Sequence, residues 1–236
     1  MRRFFLLVLA LGLASAALLH AQDAPSSPAP EAASSPAATV PPGAAATPAA
    51  AVETIVLIRH GEKPPDDKGQ LNCRGLNRAL ALPQILLAKF GQADFIFAPL
   101  TSVRDFHGKS YSYVRPLMTI EPTAILLGLP VDTRFPEDGI DQLQAELTKP
   151  AYRSALIFVA WEHKELMLLV RHLLTQLGDV SDQVPDWAAD DYDHIYIVKI
   201  RSAAAGRTAS FSEDHEMLDG LSANYPAVGA PKPLAH

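Results

Sequence analysis

Cysteine is almost missing from this chain. Cys73 is the only one in 236 residues, so no intrachain disulfide can form. Export to an oxidising compartment permits disulfides but does not require them. Without a second thiol nearby, Cys73 reads as a packed or inert side chain rather than a nucleophile. Basic excess is also missing: 20 Lys and Arg stand against 26 Asp and Glu, a net charge of −6. Without Arg2 and Arg3, 18 basic side chains face 26 acidic ones, a charge of −8. Such a balance gives no basis for nucleic-acid binding. There is no internal repeat, no obvious cluster of metal ligands, and no apolar run of the roughly 20 residues that a bilayer span needs.

The longest apolar run, Phe4 to Leu19, follows two arginines and precedes small residues near Ala21. Basic start, short apolar core and small residues are the three parts of a secretory signal. We expect residues 1–21 to be a signal peptide, which places the mature protein in the periplasm or outside the cell. After its removal no stable membrane association is expected. Residues 22–52 hold no large apolar side chain except Val40 and Val52 and are dominated by Ala, Pro, Ser, Gly and Thr. That composition cannot bury enough apolar surface to offset the entropy of ordering, so this stretch reads as a disordered, partly polyproline linker. The folded domain is expected over residues 53–218, long enough for a single core, with a polar tail over 219–236.

Within the domain, Thr54-Ile55-Val56-Leu57-Ile58 is a continuous β-branched and apolar run, the pattern of a central strand covered on both faces. Further strands are expected at Asp94–Ala98, Ala155–Ala160 and His194–Ile200, with Thr208–Ser212 returning through an Ala-Ala-Gly turn. Helical spacing covers Gly75–Phe90, Arg115–Leu127, Asp141–Leu147 and Lys164–Leu177. Pro83 should kink or divide the first of these. Pro122 leaves the middle of the second open, whereas Pro116 suits a first-turn position. Thr101 to Tyr113 reads as a polar, aromatic insertion. Strands alternating with helices indicate a three-layer α/β/α domain around a mostly parallel sheet.

In open α/β sheets, ligands bind beyond the carboxyl ends of the strands. Three groups fall there. Arg59 and His60 follow the first strand, Arg115 lies beyond the second, and Glu162 and His163 follow the third. Two arginines and two histidines at strand ends of one sheet form a constellation that a solitary residue would not. Arginine forks match phosphoryl oxygens and stay charged. A neutral imidazole is nucleophilic, and a hydrogen bond to one ring nitrogen decides which nitrogen attacks.

Arg59-His60-Gly61-Glu62 at the end of an Ile-Val-Leu-Ile strand resembles the signature of the histidine phosphatase superfamily. Leu71-Asn72-Cys73-Arg74-Gly75-Leu76 resembles that family's Leu-Thr-x-x-Gly segment. Arg115 with Thr119 resembles the pattern carrying its second arginine, and His163 its second histidine. The resemblance runs from about Thr54 to Leu174. It implies a phosphoglycerate mutase-like fold, a covalent phosphohistidine on His60, phosphate binding by Arg59 and Arg115, and a cationic donor at His163. Arg74 and Glu62 are candidate substrate ligands. No cofactor or metal is implied, and the partner is a phosphorylated small molecule. The family's proton donor is a carboxylate, for which Glu162 is the first candidate here, with Glu137, Asp138 and Asp141 behind it. The expected activity is phosphomonoester hydrolysis. A phosphomutase, a phosphoprotein phosphatase, and a non-catalytic module that binds phosphorylated ligands are the alternatives. Substrate identity and oligomeric state stay open.

Overall fold

The computed structural model describes residues 51–106, 108–178 and 183–226. The expected signal peptide, all but the last two residues of the expected linker, and the end of the chain lie outside the described residues. Among the described residues, no helix is long and apolar enough to cross a membrane.

The chain alternates strand and helix: β1 (Ala51–Arg59), α1 (Cys73–Phe90), β2 (Phe95–Phe97), the hairpin β3 (Val103–Phe106) and β4 (Lys109–Ser112), and α2 (Arg115–Leu127). There follow β5 (Val131–Asp132), α3 (Ile140–Leu147), a 3-10 turn (Pro150–Tyr152), β6 (Leu156–Trp161), α4 (His163–Gln176), β7 (His194–Ala203) and β8 (Gly206–His215). Six strands form one sheet in the order β5-β2-β6-β1-β7-β8. The first four are mutually parallel, β7 is antiparallel to β1, and β8 is antiparallel to β7.

The layers follow from strand alternation. Ile55 and Leu57 of β1 point to one face with Ile157, Val159 and Trp161 of β6, where Leu143 and Leu147 of α3 and Leu166, Leu169, Leu173 and Leu174 of α4 cover them. Val56, Ile58, Phe158 and Ala160 point to the other face, beneath Leu82 and Leu86 of α1 and Ile120 and Ala124 of α2. The three-layer α/β/α arrangement expected from the sequence is therefore what the chain adopts.

Several elements differ from expectation. Helix α1 runs through Pro83 without division. A proline in a helix costs ~3 kcal/mol or more through a lost hydrogen bond and a clash. Pro83, Leu82 and Leu86 are all buried on the sheet, and burying an apolar side chain of this size contributes about 1.5–3 kcal/mol. Packing therefore outweighs the break. Pro122 is likewise carried inside an unbroken α2. The insertion at Thr101 is a β-hairpin, with Val103 paired to Ser112 and Phe106 to Lys109. Strand β1 begins three residues before the apolar run, because Ala51 and Val52 pair with Ser202 and Arg201 of β7. The expected polar tail is docked in its first part: Asn77 on α1 donates to the carbonyls of Ser222 and Asn224, and Asp219 reaches Arg78.

Candidate active site

The parallel pairing of β1 with β6 sets the site. Arg59 is in register with Trp161, and the His60 amide donates to the Trp161 carbonyl at 2.9 Å. The residues after each strand, His60 on one and Glu162-His163 on the other, leave the sheet side by side. The loop after β1 is then clamped to α1. The Glu62 carbonyl accepts from the Asn72 amide, and the Asn72 side chain caps α1 by accepting from Gly75 N–H while donating to the Lys63 carbonyl. A Cβ on Gly75 would lie 2.4 Å from the Glu62 carbonyl oxygen, so only glycine admits this approach.

Helix α2 is tied to the same loop. The Gly61 amide donates to the Thr119 hydroxyl at 2.9 Å, and that hydroxyl donates to the Arg115 carbonyl at 2.7 Å. Gly69 accepts from the amides of Val114 and Arg115. Arg115 thus enters at the first turn of α2 with its guanidinium directed to the loop, where Nη1 meets Asp67 at 2.5 Å.

Four of the expected residues are enclosed: Arg59 and His60 are 2% exposed, Arg115 4% and His163 6%. His60 Nδ1 lies 2.8 Å from the Gly61 carbonyl oxygen. A carbonyl only accepts, so Nδ1 carries the proton and Nε2 keeps the lone pair. Burial and then the charge of Arg115 lower the His60 pKa to about 3, with Arg59 adding to the effect and the Gly61 hydrogen bond opposing it. The imidazole is therefore neutral across physiological pH.

Arg59 is held by backbone. Its Nη1 donates to the carbonyls of Ala188 at 3.3 Å and Asp191 at 2.5 Å, and its guanidinium lies 4.0 Å over the Tyr192 ring. Its buried Nε has no protein partner among the described residues. The Arg115 guanidinium carbon lies 4.9 Å from the ring centroid of a second tyrosine, Tyr113. The two tyrosine rings lie 6.4 and 6.1 Å from the His60 ring.

Glu162, expected as the proton donor, is built differently. It is the N-cap of α4: one carboxylate oxygen accepts from the amides of Lys164 at 2.6 Å and Glu165 at 3.1 Å. The other oxygen lies 2.5 Å from His163 Nδ1, in close contact without the alignment of a formed hydrogen bond. Burial raises its pKa, but His163 and the two amides outweigh that and hold it at about 2. A carboxylate at that value is ionised at neutral pH and has no proton to give. Of the other candidates, Asp141 faces His172 with its side chain 89% exposed, and Asp138 is exposed. Glu137 is buried and pairs with Arg104 of the hairpin, whose guanidinium lies over Tyr113.

The two expected substrate ligands have other surroundings in the folded chain. Glu62 gives both carboxylate oxygens to Arg78, at 3.1 and 2.9 Å. Arg74 is exposed on the first turn of α1. Arg78, not anticipated from the sequence, is 0% exposed and also meets Asp193, Glu216 and Asp219. It links the loop carrying His60 to the segment that holds Arg59. Its position one turn beyond Arg74, on the buried face of α1, was the available signal. Tyr192 and Asp67 carried none, since neither belongs to a periodic element. In the acidic turn at Asp190-Asp191-Tyr192-Asp193, the Asp191 carboxylate is used locally, accepting from the Asp193 and His194 amides and contacting the His194 ring. Among the described residues, no group of three or more His, Cys, Asp or Glu could hold a metal ion.

No family model matches the chain, and no curated protein matches it. Solved structures do. SixA from Nakamurella multipartitia is 18% identical, covering 70% of this chain and 96% of its own, with a TM-score of 0.45. A mycobacterial glucosyl-3-phosphoglycerate phosphatase with inorganic phosphate is 15% identical, covering 68% and 95%, with a TM-score of 0.46. A phosphoserine phosphatase mutant from Entamoeba histolytica, in complex with phosphoserine, is 12% identical, covering 70% and 98%, with a TM-score of 0.42. The chain is thus similar, at low identity, to solved structures that include phosphatases.

Proposed function

We propose that the protein hydrolyses phosphomonoesters through a phosphohistidine on His60. The observation that carries this reading is a neutral, enclosed imidazole whose Nδ1–H is given to the Gly61 carbonyl, beside two arginines. Nε2 attacks phosphorus, an N–P bond forms, and the ester oxygen leaves with the bonding pair. Arg59 and Arg115 bind the equatorial oxygens and offset the charge that builds there. Water then attacks phosphorus, the N–P bond breaks, and Nε2 regains its lone pair as phosphate departs. His163 would add a donor to the phosphoryl oxygens.

The leaving oxygen needs a proton in proportion to its basicity. Glu162 is held ionised, Glu137 is paired with Arg104, and Asp138 and Asp141 are exposed. Substrates whose leaving group is a weak base, aryl phosphates above all, are therefore the favoured class. Purified protein should release phosphate from aryl monoesters with kcat/KM at least about tenfold above alkyl monoesters, given a missing acid contribution of about 10²–10⁴. His60→Ala should abolish both activities. Equal rates on the two classes would remove the substrate claim, and no phosphate release from either would remove the hydrolase.

Retention of phosphate binding without turnover would favour the non-catalytic module. Export to the periplasm or beyond belongs to the same proposal and rests on the expected leader; cell fractionation tests it.

A further inference from the structure

The segment from Trp187 to Asp193 lies outside every motif that pointed to the site, yet it supplies the immediate surroundings of Arg59. Both backbone carbonyls that accept from Arg59 come from it, and so does the aromatic ring under the guanidinium. The segment is itself anchored. Trp187 Nε1 donates to the Asp191 carbonyl at 3.1 Å. The Asp193 carboxylate accepts from the Met217 amide at 3.1 Å and the Leu218 amide at 2.7 Å, and it also meets Arg78. Tyr192 is therefore fixed between two anchored aspartates. Its half-buried ring has Arg59 stacked 4.0 Å above it, and its centroid lies 6.1 Å from that of the His60 ring.

We propose that Tyr192 is a positioning residue, holding the Arg59 guanidinium in the orientation that presents Nε and Nη2 to a phosphoryl group. Arginine side chains have many rotamers, and both carbonyl contacts of Arg59 fall on one nitrogen, Nη1, at one end of the guanidinium. The Tyr192 ring under the guanidinium carbon adds a hold away from that nitrogen, because moving the cation off the π surface forfeits the attraction. Burial acts against the charge on Arg59, and an aromatic face offsets part of that cost where aliphatic carbon would not. The Arg115 guanidinium carbon lies 4.9 Å from the Tyr113 ring centroid, so each arginine of the site has a tyrosine beside it near the nucleophile.

This inference deepens the proposed function and rests on Arg59 being a phosphate ligand. It is tested by measuring the binding of inorganic phosphate by calorimetry to the full chain and to Tyr192→Phe, Tyr192→Leu and Tyr192→Ala, with melting temperatures alongside. Phenylalanine keeps the π face, so affinity should stay within about twofold. Leucine fills the space without a π face, and both leucine and alanine should weaken phosphate roughly 3- to 30-fold. In turnover of an aryl phosphate, KM and the inhibition constant of phosphate should rise together in the leucine variant. A leucine variant with wild-type phosphate affinity would reduce Tyr192 to packing and overturn the proposal, as would an alanine variant with no loss. A wild-type protein that binds phosphate but turns nothing over overturns the hydrolase reading and leaves this test intact. A wild-type protein that binds no phosphate overturns both.

Discussion

His60 is acted on by burial and by two arginines, and the Gly61 carbonyl decides which of its nitrogens is the base. Glu162, less enclosed than His60, shows the opposite outcome. Its neighbours are amides and a histidine, so its charge is stabilised and its pKa falls to about 2. Adjacent residues therefore divide the work by environment: one imidazole is kept neutral, and one carboxylate is kept charged as a cap. Replacing Glu162 with Gln should cost about 1 kcal/mol of stability as a weakened cap, while kcat on an aryl phosphate changes less than tenfold. Thermal denaturation and steady-state kinetics together check this. A loss of 10²–10⁴ in kcat at an unchanged melting temperature would restore Glu162 as the acid. The positions of Arg59, His60, Arg115 and His163 were legible because each sits at a strand end or helix start that the local pattern announces. The pairing of Glu62 with Arg78 was not legible, because the two are 16 residues apart and nothing local announces it.

Element boundaries came from periodicity, and the misreadings came from packing. Pro83 and Pro122 argue for breaks if only the local chain is considered. Both helices persist because their apolar faces are buried on the sheet. The hairpin from Val103 to Ser112 escaped notice because its strands alternate weakly and stand apart from the central sheet. Arg78 joins three elements, bringing the β1 loop through Glu62, the start of β7 through Asp193 and the end of β8 through Glu216 onto α1. Buried ion pairs add little relative to apolar packing, but removing one partner leaves uncompensated charge. Arg78→Met should lower unfolding free energy by about 3–5 kcal/mol in urea titration. A loss below about 1 kcal/mol would mean the carboxylates reach water without the arginine.

At the scale of the molecule, the parallel half of the sheet builds the site, and the antiparallel half with the chain beyond it locks the back of the site in place. The expected polar tail was read from composition alone, which is silent about Asn77 receiving Ser222 and Asn224. Stability should also depend on pH through a group with no part in the proposed reaction. Burial raises the Glu216 pKa from 4.5 to about 8, against the pull of Arg78. The folded chain then keeps a proton that the unfolded chain has released, so this contribution is complete below about pH 4.5 and is lost as pH rises through 8. Between pH 5 and 8 the melting temperature should fall, and Glu216→Gln should flatten that slope. An identical slope in the variant would assign the titration to another group.

Histidine nucleophilicity is the centre of this account, and a covalent intermediate is its most direct consequence. Protein mixed with a 32P-labelled aryl phosphate and quenched in alkali within the first turnovers should carry label that is stable to base, released by acid, and located on the His60 peptide. No such label on the wild-type protein during confirmed turnover, or equal label on His60→Ala, would contradict the mechanism.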